Sequence, residues 1–260
     1  MSSRVNVRSL GRFARAALFA GEAAVISVFE RSAYVETCAG LACVGVVGNG
    51  PLNAECGPLP AGIRVGDMLG IGLSDARPWV PRRAPAWTPQ TVVGSLDLLQ
   101  SMARTQLPTE GFGYVLDSAR DRPSAVYALS TWISQPRGLP EDAGGLLGLG
   151  PGLTPSGDDL IGGALCAVRA AGFAETADQL AAWALPIARG GATNRISYAH
   201  LACAAEGEAA EAVNDAIVAL LAGEAPDLAR IDSIGHTSGW DALAGVALAL
   251  HAALRTPRVT

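Results

Sequence analysis

Two segments of the chain are predicted to begin helices with nearly the same sequence. Residues 156–163 read SGDDLIGG and residues 238–245 read SGWDALAG, so both follow the pattern S-G-x-D-x-[IL]-x-G. We expect each serine to be an N-cap, and the aspartate three residues later, Asp159 or Asp241, to close a capping box. A single capping box is common and usually structural. Two copies constrain the fold, because they give one chain two matching helix starts.

The glycines of the two repeats add a second expectation. Gly163 and Gly245 end the repeats and leave room for close backbone contact, so we expect them to lie where these helices or their neighbours touch. Gly157 and Gly239 follow the serines and let another group approach the backbone amides. Two helix N-termini directed at one point would make a strong anion site.

The segment before the first repeat, residues 148–155, reads GLGPGLTP and is predicted to be a ligand-facing loop. Its glycines expose backbone amides, while Pro151 and Pro155 stiffen the loop before a ligand binds. Amides, hydroxyls and a helix N-terminus together suit a phosphate or a carboxylate. The ligand-binding candidates of this first motif are Gly150, Gly152, Thr154, Ser156 and Gly157. The sequence has neither a Walker A lysine here nor a G-x-G-x-x-G after a clear strand, so the usual nucleotide motifs are absent.

Asp158 is the carboxylate of this motif that we expect to be available for chemistry. If Asp159 closes the capping box, Asp158 is free to point outward. It could there hold Mg²⁺ together with a phosphate, or accept a proton from a substrate amide. The alternative is that Asp158 only stabilises the positive end of the helix dipole. We count Asp158 as a catalytic candidate.

A second polar motif, residues 190–197, reads GGATNRIS and precedes another predicted helix. Thr193 or Asn194 can cap that helix, and both are ligand-binding candidates together with Ser197. Arg195 falls in the first turn, where the helix dipole disfavours a cation, so it calls for a compensating carboxylate or ligand anion. The alternative is an arginine on a solvated surface. We count Arg195 as a second catalytic candidate.

A third motif, residues 235–241, reads GHTSGWD and contains the third catalytic candidate, His236. An isolated histidine is usually structural, but this one immediately precedes a helix start and is suited to proton transfer or anion contact. The ligand-binding candidates beside it are Thr237, Ser238 and Gly239. No metal-binding histidine spacing and no G-x-S-x-G motif occur, so we predict no metal ligands and no hydrolase triad.

The order of patterns along the chain predicts an α+β fold in two parts. Residues 1–85 are expected to form a β-rich meander or small barrel, with strands at residues 24–29, 33–37 and 41–47 after a surface helix at residues 9–19. A proline-rich segment, residues 76–90, separates this part from residues 86–260. The second part is expected to be mainly helical and to pack against the first. Its predicted helices lie at residues 96–107, 124–134 and 175–188 and begin near residues 156, 196 and 238.

Composition excludes several classes of protein. Half of the 260 residues are apolar and 17% are charged, which is too apolar for disorder, and no apolar run reaches the length of a membrane span. The net charge of −5 and the lack of a basic stripe argue against nucleic acid as a partner. The five cysteines fit no zinc pattern and are expected to be buried thiols. The arginine-rich start lacks the apolar region of a secretory signal, so a cytoplasmic location is expected.

The three motifs together resemble the family of the AllH-type subunit of oxamate carbamoyltransferase, formerly a domain of unknown function. The matching segments are residues 148–159, 193–197 and 235–241, with a weaker similarity at residues 50–52, and the resemblance spans about residues 20 to 250. It implies a component of a multisubunit enzyme of anaerobic allantoin and purine breakdown. That enzyme interconverts oxalurate plus phosphate with oxamate plus carbamoyl phosphate. The resemblance supplies no catalytic residue.

Three functional hypotheses follow from these features. The first is an enzyme subunit that binds a small oxyanion (carbamoyl phosphate, phosphate or oxamate) and works with companion protein subunits. The second is a non-catalytic scaffold, in which the glycine-rich loop docks against a companion and the caps are structural. The third is a Mg²⁺-dependent phosphoryl or nucleotide enzyme that uses Asp158 and Asp159. No cofactor is assigned, and Mg²⁺ is the one that the sequence leaves open.

Overall fold

The computed structural model describes residues 3–255, and the chain divides into two compact units between Pro81 and Arg82. The division falls within the proline-rich segment 76–90, a few residues before the boundary that the sequence suggests. Apart from one short helix, the first unit holds the strands and the second holds the helices. The predicted α+β class, β-rich first and helical second, is confirmed. None of the described helices is long and apolar enough to cross a membrane.

An eight-stranded sheet, curled into a half-barrel, forms the first unit. Its elements are β1 (Ser3–Asn6), β2 (Ser9–Leu10), α1 (Arg12–Leu18), β3 (Glu22–Val28), β4 (Ser32–Thr37), β5 (Gly40–Gly45), β6 (Asn53–Glu55), β7 (Met68–Gly72) and β8 (Arg77–Pro78). The strand order is β1-β7-β3-β4-β5-β6-β2-β8. The expected meander is the antiparallel series β3, β4 and β5, whereas β1 and β7, β5 and β6, and β2 and β8 pair in parallel.

The predicted helix over residues 9–19 is shorter in the structure, because its first two residues form β2 and pair with β6. The N–H groups of Phe13 and Ala14 donate to the carbonyl of Pro51 at 3.0 and 2.9 Å. These bonds satisfy donors that a helix start leaves without an intrahelical partner. The segment at residues 50–52 therefore supports the start of α1. Four of the five cysteines are buried as expected, and Cys38 is exposed.

Over its described residues, 82–255, the second unit contains eight helices. They are α2 (Pro89–Ala103), α3 (Ser124–Ser134), α4 (Ser156–Ala170), α5 (Ala174–Ile187), α6 (Arg195–Ala205), α7 (Glu211–Ala222), α8 (Leu228–Asp232) and α9 (Ser238–Ala253). The sequence analysis missed α7 and α8. Short 3-10 turns lie at Gly113–Leu116 and Glu141–Leu146. Most residues of α9 are buried, so this helix is the centre of the unit's apolar core.

The two repeats begin α4 and α9, which pack against each other in the same direction with their N-termini side by side. A methyl group on Gly163 of α4 would overlap the carbonyl of Ala242 on α9, and one on Gly245 of α9 would overlap the carbonyl of Leu160 on α4. Ala242 and Leu160 are equivalent positions of the two repeats. The two contacts are therefore reciprocal, and the predicted contact at both glycines is confirmed.

Candidate functional site

Neither repeat forms the predicted capping box. Pro155 precedes α4 and Thr237 precedes α9 in the N-cap position, and neither makes a side-chain cap hydrogen bond. Ser156 and Ser238 are instead the first residues inside their helices. The prediction was wrong because each serine hydroxyl is used across the helix pair, toward the aspartate of the other repeat, and not within its own helix.

The crossed hydrogen bonds join the starts of α4 and α9. The hydroxyl of Ser156 on α4 bonds to the Asp241 carboxyl on α9, and the hydroxyl of Ser238 on α9 bonds to the Asp159 carboxyl on α4. Asp159 also interacts with the hydroxyl of Thr154, which lies 2.8 Å from the Ser238 hydroxyl. Two hydroxyls from the first and third motifs thus lie together beside one carboxyl group.

Both crossed aspartates are in surroundings that disfavour their charge. Asp241 is fully buried, and its Oδ2 atom has no hydrogen-bond partner within the described residues. Asp159 is partly exposed as a residue, but its Oδ2 is shielded from solvent and also has no partner. Burial is the main cause that raises the pKa of each carboxyl, well above the usual value for Asp159. The nearby carboxylates of Asp241 and Asp158 raise the pKa of Asp159 further.

Asp158 does not point outward as the sequence analysis expected. Its side chain is 2% exposed and accepts three hydrogen bonds. Oδ1 accepts from the N–H of Gly148 at 2.8 Å, and Oδ2 accepts from the hydroxyls of Thr193 at 2.5 Å and Ser197 at 2.6 Å. The expectation failed because it assigned Asp159 to a cap that does not form. Asp158 connects the glycine-rich loop to the second motif.

Asn194 makes a further connection between the first and second motifs. Its Oδ1 accepts from the N–H groups of Ile196 and Ser197 at 2.9 and 3.0 Å, which confirms Asn194 as the cap of α6. Its Nδ2 donates to the carbonyl of Leu153 at 2.9 Å. The hydrogen bonds that Asp158 accepts, that Asn194 donates and that join the Thr154 and Ser238 hydroxyls therefore bring all three sequence motifs into one cluster.

The candidates Arg195 and His236 lie at the surface. Arg195 is the first residue of α6 and is exposed. His236 is 85% exposed at its side chain, and its Nε2 lies 3.4 Å from Oε2 of Glu110. Arg195 therefore lies in the first turn of α6, where the helix dipole disfavours a cation.

The glycines of the motifs fall into two groups. Gly157 and Gly239 are packed against the carbonyls of Leu146 and Ile231, and their own N–H groups donate to the carbonyls of Leu149 and Ile234. The space beside these two glycines, where a ligand was expected, is therefore filled by backbone of the chain itself. In contrast, Gly150 and Gly152 have φ values of 118° and 93° and belong to the exposed surface of the loop.

One part of the cluster was missed from the sequence. Gly111 has a φ of 73°, and a methyl group there would overlap the Asp241 carboxylate. The absence of a side chain lets the N–H of Phe112 donate to Oδ1 of Asp241 in a very short hydrogen bond. The available signal was the glycine pair in TEGFG at residues 109–113, which lies outside the three motifs.

Within residues 3–255, no three His, Cys, Asp or Glu side chains are placed to hold a metal ion. The acids at the start of α4, Asp158 and Asp159, are used in hydrogen bonds that come from the chain itself.

Comparison with known proteins agrees with the resemblance of the motifs. The family model described as oxamate carbamoyltransferase subunit AllH matches residues 146–250, which is less than half of the chain but contains all three motifs. Curated proteins and solved structures give no match. The residues that build the cluster around Asp158 lie within residues 146–250, the part of the chain that matches the AllH family model.

Proposed function

We propose that the chain is a subunit of an oxamate carbamoyltransferase-like enzyme of allantoin and purine breakdown. In this proposal it binds a small oxyanion (carbamoyl phosphate, phosphate or oxamate) and works with companion subunits. One observation carries it: the family match covers three separate motifs, and hydrogen bonds at Asp158, Asn194 and Thr154 join those motifs into one cluster.

The amides at the helix starts are poor candidates for anion contact. The first turns of α4 and α9 already contain three carboxyl groups, Asp158, Asp159 and Asp241. A further anion placed there would meet like charge, which costs free energy in a buried setting. We therefore assign the oxyanion to the outer edge of the cluster, where the loop is exposed.

Arg195 and the loop from Gly150 to Thr154 are the groups we assign to the oxyanion. In support, Asn194, which precedes Arg195, donates to the carbonyl of Leu153, which precedes Thr154. A guanidinium can bind two oxygens of a phosphate or carboxylate at once, and a threonine hydroxyl can donate to a third.

The reaction needs positioning and charge stabilisation more than a covalent nucleophile. A phosphate oxygen attacks the ureido carbonyl of oxalurate, the bond between that carbon and the internal nitrogen breaks, and oxamate leaves with a proton on its nitrogen. Negative charge develops on the carbonyl oxygen and is stabilised by nearby donors. His236, exposed at the start of α9, is our candidate for delivery of the proton to the leaving nitrogen.

Calorimetry on the full chain tests the oxyanion assignment. Titration with carbamoyl phosphate or inorganic phosphate is expected to give binding heat that Arg195→Ala abolishes. Arg104→Ala is the matched control, since Arg104 is an exposed arginine at the end of α2. It should bind as the wild type does. Unchanged affinity in Arg195→Ala would show that Arg195 does not bind the oxyanion.

The scaffold role remains a second candidate because several motif groups are used internally. Asp158 is satisfied by three donors, and Gly157 and Gly239 pack against backbone. Reconstitution with the products of neighbouring genes separates the two roles. The catalytic proposal predicts that carbamoyl transfer stops when this chain is omitted or carries Arg195→Ala. The scaffold role predicts that omission abolishes transfer while the arginine variant retains it.

A further inference from the structure

Asp159 and Asp241 are the two acids that the proposed oxyanion site does not use. They occupy equivalent positions of the two repeats, one turn inside parallel helices whose starts lie side by side. Each accepts from the first serine of the opposite helix, Ser238 or Ser156. The repeat in the sequence therefore produces a symmetrical pair of carboxyl groups at the junction of α4 and α9.

Each acid of this pair has one oxygen without a partner. Oδ2 of Asp159 and Oδ2 of Asp241 are both shielded from solvent and accept no hydrogen bond within residues 3–255. A buried carboxylate oxygen without a donor is costly, and two neighbouring carboxylates increase that cost. The charged groups that act on Asp159 are themselves carboxylates, Asp241 from α9 and Asp158 from α4. The pair is therefore suited to hold a proton and to accept a donor from a ligand.

We propose that Asp159 and Asp241 share one proton and together bind the carbamoyl group of the substrate. The protonated carboxyl donates to the carbonyl oxygen of that group, and the ionised carboxylate accepts from its NH₂. This rests on the proposed function, because it names the part of the substrate that the chain recognises. One donor and one acceptor side by side complement a primary amide, whose carbonyl and N–H present the opposite pattern.

The surroundings of Asp159 and Asp241 differ, and the difference indicates which of the two carries the shared proton. Asp241 accepts from the backbone N–H of Phe112, which stabilises its ionised form. Asp159 has the more strongly raised pKa, with burial and the two neighbouring carboxylates as causes. Asp159 is therefore the donor and Asp241 the acceptor. Asp159 is also the partly exposed member, and the hydroxyls of Thr154 and Ser238 lie beside it next to the loop.

The pair can be tested without a ligand, by thermal denaturation of the full chain at several pH values. A carboxyl whose pKa is raised on folding destabilises the fold as pH rises from about 4, its value in the unfolded chain, through its folded value. Asp159→Asn keeps the shape of the protonated acid and removes this penalty. At pH 8 we expect its Tm to exceed the wild-type Tm by about 3 °C or more, and the gain to disappear near pH 4.

Two further variants keep this result interpretable. Asp241→Asn should also raise Tm at pH 8, because it removes the one buried charge that the pair keeps. Asp158→Asn is the matched control on the neighbouring residue, and its Tm should fall because Asp158 is a fully hydrogen-bonded acceptor. If Asp159→Asn and Asp241→Asn both lowered Tm at every pH, the shared proton would be refuted.

Recognition of the carbamoyl group is tested with two phosphates that differ in one substituent. Carbamoyl phosphate carries an NH₂ where acetyl phosphate carries a methyl group. We expect the wild type to bind carbamoyl phosphate at least about tenfold more tightly, since one charged hydrogen bond contributes about this much. Asp241→Asn should lose most of that preference, and an undiminished preference would overturn the assignment. If neither phosphate bound the wild type, the proposed function and its ligand would fail together, whereas the pH measurements would still decide the shared proton.

Discussion

Gly163 lies directly against the carbonyl oxygen of Ala242, with no room for a side chain between α4 and α9. The equivalent contact, Gly245 against Leu160, repeats this arrangement from the opposite helix. The spacing of the two helices is therefore set by two backbone contacts that only glycine permits. This close approach is what places the two acidic helix starts beside each other.

Substitution of either contact glycine should separate the helices. Gly163→Ala and Gly245→Ala are each expected to lower the free energy of unfolding by about 3 kcal/mol or more, because the added methyl overlaps rigid backbone. Gly162→Ala is the matched control on the same helix, since its methyl would lie 3.6 Å from Ala204. Because alanine favours helix, the control should be neutral or more stable by up to about 1 kcal/mol. Urea denaturation measures all three, and equal stabilities would refute the contact.

Asp158 is expected to stabilise the folded chain, because it accepts hydrogen bonds from the glycine-rich loop, from Thr193 and from α6. Asp158→Asn leaves at least one buried donor without an acceptor, which should cost about 2–4 kcal/mol in urea denaturation. Asp178→Asn serves as the control, because Asp178 is 68% exposed and pairs with Arg169 at the surface. Its effect should stay below about 1 kcal/mol. A loss as small as that in Asp158→Asn would mean that Asp158 does not hold the motifs together.

Gly111 is expected to be intolerant of substitution for two separate reasons. Alanine at φ 73° is strained by about 1–2 kcal/mol, and its methyl would also displace the Asp241 carboxylate. Gly138→Ala isolates the first cost, since Gly138 has a φ of 64° and open space around it. We predict that Gly111→Ala loses at least about 1 kcal/mol more than Gly138→Ala in urea denaturation. Equal losses would show that Asp241 does not need the close approach of Gly111.

His200 on α6 predicts a loss of stability in mild acid. Burial lowers the pKa of its imidazole from 6.5 to about 4. Between these values the unfolded chain binds more protons than the folded chain, so stability falls as pH drops below about 6.5 and the loss is complete near pH 4. The Tm of His200→Gln should therefore fall less than that of the wild type from pH 7 to pH 4.5.

The comparison with wild type is needed because the pair of Asp159 and Asp241 acts in the opposite sense over the same range. The exposed His236 provides the control, and His236→Gln should follow the wild-type curve. A His200→Gln curve that fell in parallel with the wild type would show that this histidine is not shielded in the folded chain.

Much of the second unit could be predicted from sequence because its signals are local. The spacing of apolar residues indicated α3, and the S-G-x-D pattern indicated the start of α4. Thr193 or Asn194 was predicted to cap α6, and Asn194 does. The contact of Gly163 with α9 also followed from the repeat, since two equivalent glycines on similar helices indicate a shared interface. These features depend on residues that are close together in the chain.

The parts that could not be predicted depend on contacts between distant residues. Asp159 looks like a capping residue in sequence, and only the position of Ser238, far along the chain, shows that its hydrogen bond crosses to another helix. Asp158 looked free for the same reason. The role of Gly111 was hidden because its partner, Asp241, lies 130 positions later. The parallel pairing of β1 with β7 was not predicted either, because no pattern within either strand shows which distant strand it pairs with.

A crystal structure of the full chain soaked with carbamoyl phosphate tests the account most directly. We predict density for the ligand at the cluster around Asp158, with its phosphate in contact with Arg195 and Thr154 and its carbamoyl group against Asp159 and Asp241. Ligand density with the phosphate at the amides of Gly157 or Gly239, or bound only outside residues 146–250, would contradict it.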